Sequence, residues 1–163
     1  MKTLRTLVTI GASCFLVGVW NSPAAAAGPN DGVAIEGAYV VVSDGLMART
    51  NERFKDEATV TARWNVTSNC TDYQSCTGRV ESDQGWTADL TYISNVWYVR
   101  RTLPNWEPCP DGSAAPGEQT YYFWRDPNNA AQLIGWDSTK GPSGACGINK
   151  QLVIKLPLRL APA

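Results

Sequence analysis

The chain has 163 residues, a formal net charge of -1, five cysteines, seven tryptophans and no histidine. A hydrophobic share of 44% against 18% charged residues excludes a disordered chain or a coiled coil, and a charge near zero leaves no electrostatic footprint for nucleic acid. The lack of histidine removes every Ser-His, Cys-His and His-metal constellation, so no catalytic residue, metal ligand or cofactor is expected.

The first element in chain order reads as an export signal. Lys2 and Arg5 form a basic start, residues 7–20 are uncharged and mostly apolar, and Asn21-Ser22-Pro23 breaks the run before the small residues Ala24 to Ala27. This is the three-part pattern of a secretory signal peptide, with cleavage expected after Ala26 or Ala27. The apolar run is shorter than the roughly 20 residues that span a bilayer. It continues past Cys14 to Trp20, which argues against lipid attachment at that cysteine. Residues 1–27 are therefore expected to be a signal peptide, and residues 28–163 a single β domain, secreted or held in the cell envelope without a membrane span. Loss of Lys2 and Arg5 moves the net charge from -1 to -3.

The rest of the chain reads as a series of strands. Residues 35–42 give the first. Residues 43–56 hold the one candidate helix, but Leu46, Met47 and Phe54 make too thin an apolar face for more than one turn or a loop. In residues 57–67, Ala58, Val60, Ala62, Trp64 and Val66 alternate with polar residues, which places all five on one face of a strand. A weaker strand lies near residues 77–82. Residues 85–93 follow, with Trp86, Ala88, Leu90 and Tyr92 in phase, and then residues 96–103, across a tight turn at Ser94-Asn95. Residues 119–125 are dense in strand-favouring aromatics and turn at 126–129 into residues 131–137. The last strand, residues 152–160, points Leu152, Ile154, Leu156, Leu158 and Leu160 inward; its outward Pro157 predicts an edge position or a bulge. About eight strands joined in series predict an all-β antiparallel fold, with an up-and-down, lipocalin-like barrel favoured over a two-sheet sandwich.

Four cysteines remain after signal removal: Cys70, Cys76, Cys109 and Cys146. An even number in an exported chain predicts two disulfides, and the absence of a C-x-x-C pair argues against zinc. Of the three connectivities, Cys70–Cys76 as a local staple and Cys109–Cys146 as a long-range one are favoured, because residues 71–75 form a polar, turn-like insert.

Several motifs have plainer readings than they first invite. Residues 141–147 (GPSGACG) look like a phosphate cradle but lack the following helix and the lysine, so a loop ordered by a disulfide is expected. Ser143 has no histidine partner. Asp83, Asp89, Glu107 and Asp111 are the carboxylates available to a glycoside hydrolase, the less favoured enzymatic alternative, and read as solvated surface groups. Asn65 and Asn69 sit in glycosylation sequons that matter only in a eukaryotic secretory pathway. Trp64 and Trp86 are expected in the core. Two residues stand out as candidate ligand or partner contacts: Trp106, in the Pro/Gly-rich loop 104–117, and Arg101. Phase with Trp97 and Val99 turns Arg101 inward, where it requires a carboxylate or a ligand anion.

The phrases at residues 82–88 (SDQGWTA), 105–112 (NWEPCPDG) and 141–147 resemble a family of short exported proteins of mycobacteria and related actinobacteria. More loosely, the order Gly37-x-Tyr39, Trp64, Cys70, Cys76, Trp97, Cys109, Cys146 is similar to the extracellular domains of mycobacterial receptor-type Ser/Thr kinases. The first resemblance implies export and disulfides and brings no catalytic or binding residues; the second implies an extracellular recognition module. The expectation is a secreted, monomeric, non-catalytic binding domain for an apolar or lipid-like small molecule. A protein-interaction module with an envelope-protein partner is the alternative.

Overall fold

A computed structural model describes residues 32–163. The expected signal peptide, its cleavage site and Cys14 lie outside the described residues. The strands are β1 (Gly37–Ser43), β2 (Arg49–Thr50), β3 (Arg53–Phe54), β4 (Val60–Asp72), β5 (Ser75–Ser82), β6 (Thr87–Ile93), β7 (Val96–Pro108), β8 (Ala114–Asp126), β9 (Asn129–Lys140) and β10 (Val153–Pro162). Apart from the small β2–β3 hairpin, each strand pairs antiparallel with the next in the chain. β10 closes the ring on β1, with Val41 opposite Leu160. The result is the expected closed eight-stranded up-and-down barrel, which leaves no exposed edge around the ring. The region read as one helical turn or a loop contains a single 3-10 turn, Gly45–Met47, followed by the β2–β3 hairpin.

Alternation decides which side chains fill the interior. Val41, Trp64, Val66, Val80, Leu90, Trp97, Val99, Phe123, Leu133, Leu158 and Leu160 face inward and are almost completely buried. Trp64 anchors the aromatic part, edge-on to Trp86 at 5.4 Å and to Tyr121 at 4.9 Å. Such contacts add to area burial because ring edges and faces carry opposite partial charge. At the end carrying the Ser94-Asn95 turn, residues 32–36 are strapped down: the Ile35 N–H donates to Ser68 Oγ, and Arg125 donates to the carbonyls of Gly32 and Ala34. Both turn residues have positive φ, as a type I′ hairpin demands.

Two strand expectations need correction. Pro157 is neither at an edge nor in a bulge, since β10 pairs with β9 from Val153 to Leu160 and with β1 and β2 on its other side. The β1 pairs stop at Leu158 and the β2 pairs at Lys155, so Pro157 falls in the gap between them. Its carbonyl accepts from the Asp44 N–H on that side, where its own missing N–H would otherwise need an acceptor. Residues 104–117, read as a loop, belong mostly to β7 and β8. Leu103 lies opposite Gly117 and Glu107 opposite Ala115, so the extra residues of β7 form a bulge that carries Trp106.

Both disulfides have the favoured connectivity. Cys70–Cys76 bridges the β4–β5 turn, and Cys109–Cys146 ties the β7–β8 turn to the segment between β9 and β10. Residues 141–147 form a tight turn around the second bridge, with a 3-10 turn at Ala145–Gly147.

Candidate functional site

The two ends of the barrel differ. One has short turns at residues 73–74, 94–95 and 127–128. The other gathers the long connections, residues 44–59 and 141–152, with the bulged end of β7 and the Cys109–Cys146 bridge. Long connections on a rigid scaffold are where binding groups are normally carried.

Below this second end the interior changes from apolar to polar. Arg101 on β7, Gln119 on β8, Asp137 on β9 and Ser43 on β1 all occupy inward positions towards this end, with Gln119 opposite Arg101 and Asp137 opposite Tyr121. They form a chain of hydrogen bonds. Arg101 Nε donates to Gln119 Oε1 at 2.7 Å, Gln119 Nε2 donates to Asp137 Oδ1 at 2.8 Å, and the Ser43 hydroxyl donates to Asp137 Oδ2 at 2.9 Å. Asp137 is 4% exposed. Burial pushes its carboxyl above the ordinary carboxylate value, and the hydrogen bonds from Gln119 and Ser43 and the nearby Arg101 charge only partly oppose that. Burial, reinforced by Asp137, likewise pushes the Tyr121 phenol well above its ordinary value.

The Arg101 guanidinium lies 4.3 Å over the Trp86 ring, which itself stacks on Tyr121. The ring contact and the Nε hydrogen bond together restrain the guanidinium. Among the described residues it forms no ion pair.

Above this floor opens a cavity of about 420 Å³. Its walls are largely apolar and come from Val60, Leu103, Trp106, Ile154 and Leu156. Trp106 reaches the cavity because β8 has no side chain beneath it: a Cβ on Gly117 would sit 2.7 Å from the indole and 2.8 Å from the Thr139 methyl. Glu57 also lines the cavity, but it pairs with Lys55 at 3.4 Å and accepts from the Thr50 hydroxyl.

The two candidate contacts thus line one cavity, although Trp106 reaches it from a strand bulge and not from a loop. Gln119, Asp137 and Ser43 were missed. Residues 119–125 stand out in the sequence by their aromatics, and the next strand is expected to end at residue 137, before the Pro/Gly-rich stretch 138–149. The inward phase of Phe123 and Tyr121, carried back two residues, would have found Gln119.

The four carboxylates considered for glycoside hydrolysis take separate settings. Asp89 faces Arg79 on the outer wall, Asp111 caps its own turn through Ser113, Asp83 is exposed beside the β5–β6 turn, and Glu107 packs beside Gly141. Among the described residues, no group of three or more His, Cys, Asp or Glu side chains is placed to hold a metal ion, and no helix is long and apolar enough to cross a membrane.

No family model matches the chain, and no curated protein matches it. The fold does have a counterpart among solved structures. The monomer form of the sensor domain of Mycobacterium tuberculosis PknI superposes with a TM-score of 0.61 at 12% identity, over 80% of this chain and 88% of that one. At that identity the likeness is one of fold alone.

Proposed function

We propose that the protein is an exported, non-catalytic recognition domain whose ligand site is the cavity at the long-connection end of the barrel. One observation carries the reading. Side chains fill the barrel up to the Arg101–Gln119–Asp137–Ser43 layer, and the open space above that layer has apolar walls over a polar floor. The ligand expected for such a site is a small amphipathic molecule seated at the mouth, its apolar body against Trp106, Leu103 and Leu156. A lipid enclosed along the barrel axis would have to displace Trp64, Trp97 and Phe123, so the lipid-like ligand inferred from the sequence belongs at the mouth. The sensor-domain fold of PknI and the two disulfides support recognition outside the cytoplasm.

The test is native mass spectrometry of the mature protein exported from an actinobacterial host, before and after organic extraction, beside Trp106→Ala. A removable adduct of small organic mass, present at lower occupancy in the variant, is the expected outcome. An apo mass in both proteins, four hydrogens below the reduced chain, would overturn the ligand site while verifying the disulfides.

The outer wall supports a second reading, a protein-interaction surface. On β4, β5 and β6 the outward residues are polar, among them Arg63, Asn65, Thr67, Arg79, Glu81 and Asp89. On β7 to β10 they become Tyr98, Tyr122, Trp136 and Pro157 in one transverse row, beside Trp124 and Ile134. A groove of about 440 Å³ lies in this second region. Retained partner capture by a protein altered at the mouth, and loss on Trp124→Ala, would favour the outer wall.

A further inference from the structure

Among the charged groups lining the mouth, Arg101 is the cation, and most of its hydrogen-bonding capacity is unused. Glu57 is engaged by Lys55 and Thr50, and both oxygens of Asp137 accept from neutral donors. Arg101 spends only Nε on Gln119, and among the described residues no hydrogen bond or ion pair involves its two terminal nitrogens. A half-buried guanidinium whose terminal nitrogens have no hydrogen-bond partner is unfavourable, because their lost hydration is not replaced. The terminal nitrogens of a guanidinium fixed through Nε form a planar two-donor fork, which matches a carboxylate better than a hydroxyl or an ammonium group.

We infer that the mouth cavity recognises an amphipathic carboxylate, with the acid group bound by the Arg101 fork and the apolar body lying against Trp106 and Leu103. This rests on the reading of the cavity as a ligand site and specifies the chemistry that the site selects. Gln119 acts as a positioning residue: its amide carbonyl fixes Arg101 Nε, and its amide nitrogen keeps Asp137 turned away from the fork. Burial, which favours the neutral form of Asp137, works in the same direction by reducing competition for the guanidinium.

The experiment titrates the mature, disulfide-bonded protein at neutral pH with decanoate, 1-decanol and decylamine, which share one chain and differ in the end group. Calorimetry should show decanoate binding about tenfold or more tighter than decanol, the gain typical of a charge-assisted hydrogen-bonded pair, with decylamine weakest. Arg101→Gln should bring the decanoate-to-decanol ratio close to one, chiefly by weakening decanoate. Arg101→Lys should retain part of the preference, and near-ultraviolet circular dichroism checks that both variants are folded.

Equal binding of decanoate and decanol, tighter binding of decylamine, or a preference that survives in Arg101→Gln would overturn the carboxylate assignment and leave the cavity as a ligand site. No binding of any of the three probes would count against the ligand site as well.

Discussion

Asp137 is where the physical chemistry of single residues is most exposed to test. Its folded-state pKa is raised by burial above the ordinary value of 3.8. The native state therefore holds its proton to higher pH than the unfolded chain does. This contribution to stability is fully present below about pH 3.8 and is lost as pH rises through the folded pKa. Asp137→Asn keeps the shape and an acceptor but cannot ionise. Its melting temperature relative to the parent should rise from pH 4 to pH 8, read by thermal unfolding at pH 4, 6 and 8; a difference independent of pH would show that Asp137 titrates normally. The inward turn of Arg101 was legible from its phase with Trp97 and Val99. The burial of Asp137 was not, because its neighbours Gln119 and Ser43 come from strands 18 and 94 residues away in sequence. No local pattern encodes such a meeting.

Among the elements, the two disulfides differ in what they close. Cys109–Cys146 spans 37 residues and Cys70–Cys76 spans 6. By loop entropy the long bridge should stabilise by about 3–4 kcal/mol and the short one by about 2 kcal/mol. The paired Cys109→Ser, Cys146→Ser variant should thus lose more in chemical denaturation than the Cys70→Ser, Cys76→Ser variant, and equal losses would point to structure surviving in the unfolded chain. Strand ends were the least legible feature. Pro104, Asn105 and Gly117 carry turn chemistry, yet the bulge absorbs the first two, and Gly117 is small because Trp106 packs over it. Local propensity reports what a residue prefers alone, whereas a paired neighbour strand and a tryptophan overhead reward a different choice.

For the molecule as a whole, closure of the described strands predicts one cooperative unit. Every barrel strand has two neighbours, and the inward side chains form one core cluster, so no part can leave without opening the ring. We propose residues 28–163 as the folding unit. That chain should unfold in a single transition, with calorimetric and van't Hoff enthalpies in agreement; two resolved transitions would break the single-domain assignment. The sequence by itself determined the all-β class, about eight strands and their inward faces, because a period of two is a local property of the chain, and it favoured the disulfide pairing without deciding it. Only the tertiary structure decided that Arg101, Gln119, Asp137 and Ser43 share a layer, that Trp106 overhangs it, and that the outer wall is polar on one side and aromatic on the other. Those outcomes depend on which strands become neighbours when the barrel closes and on the register between them, and register is a relation between distant segments that no single segment carries.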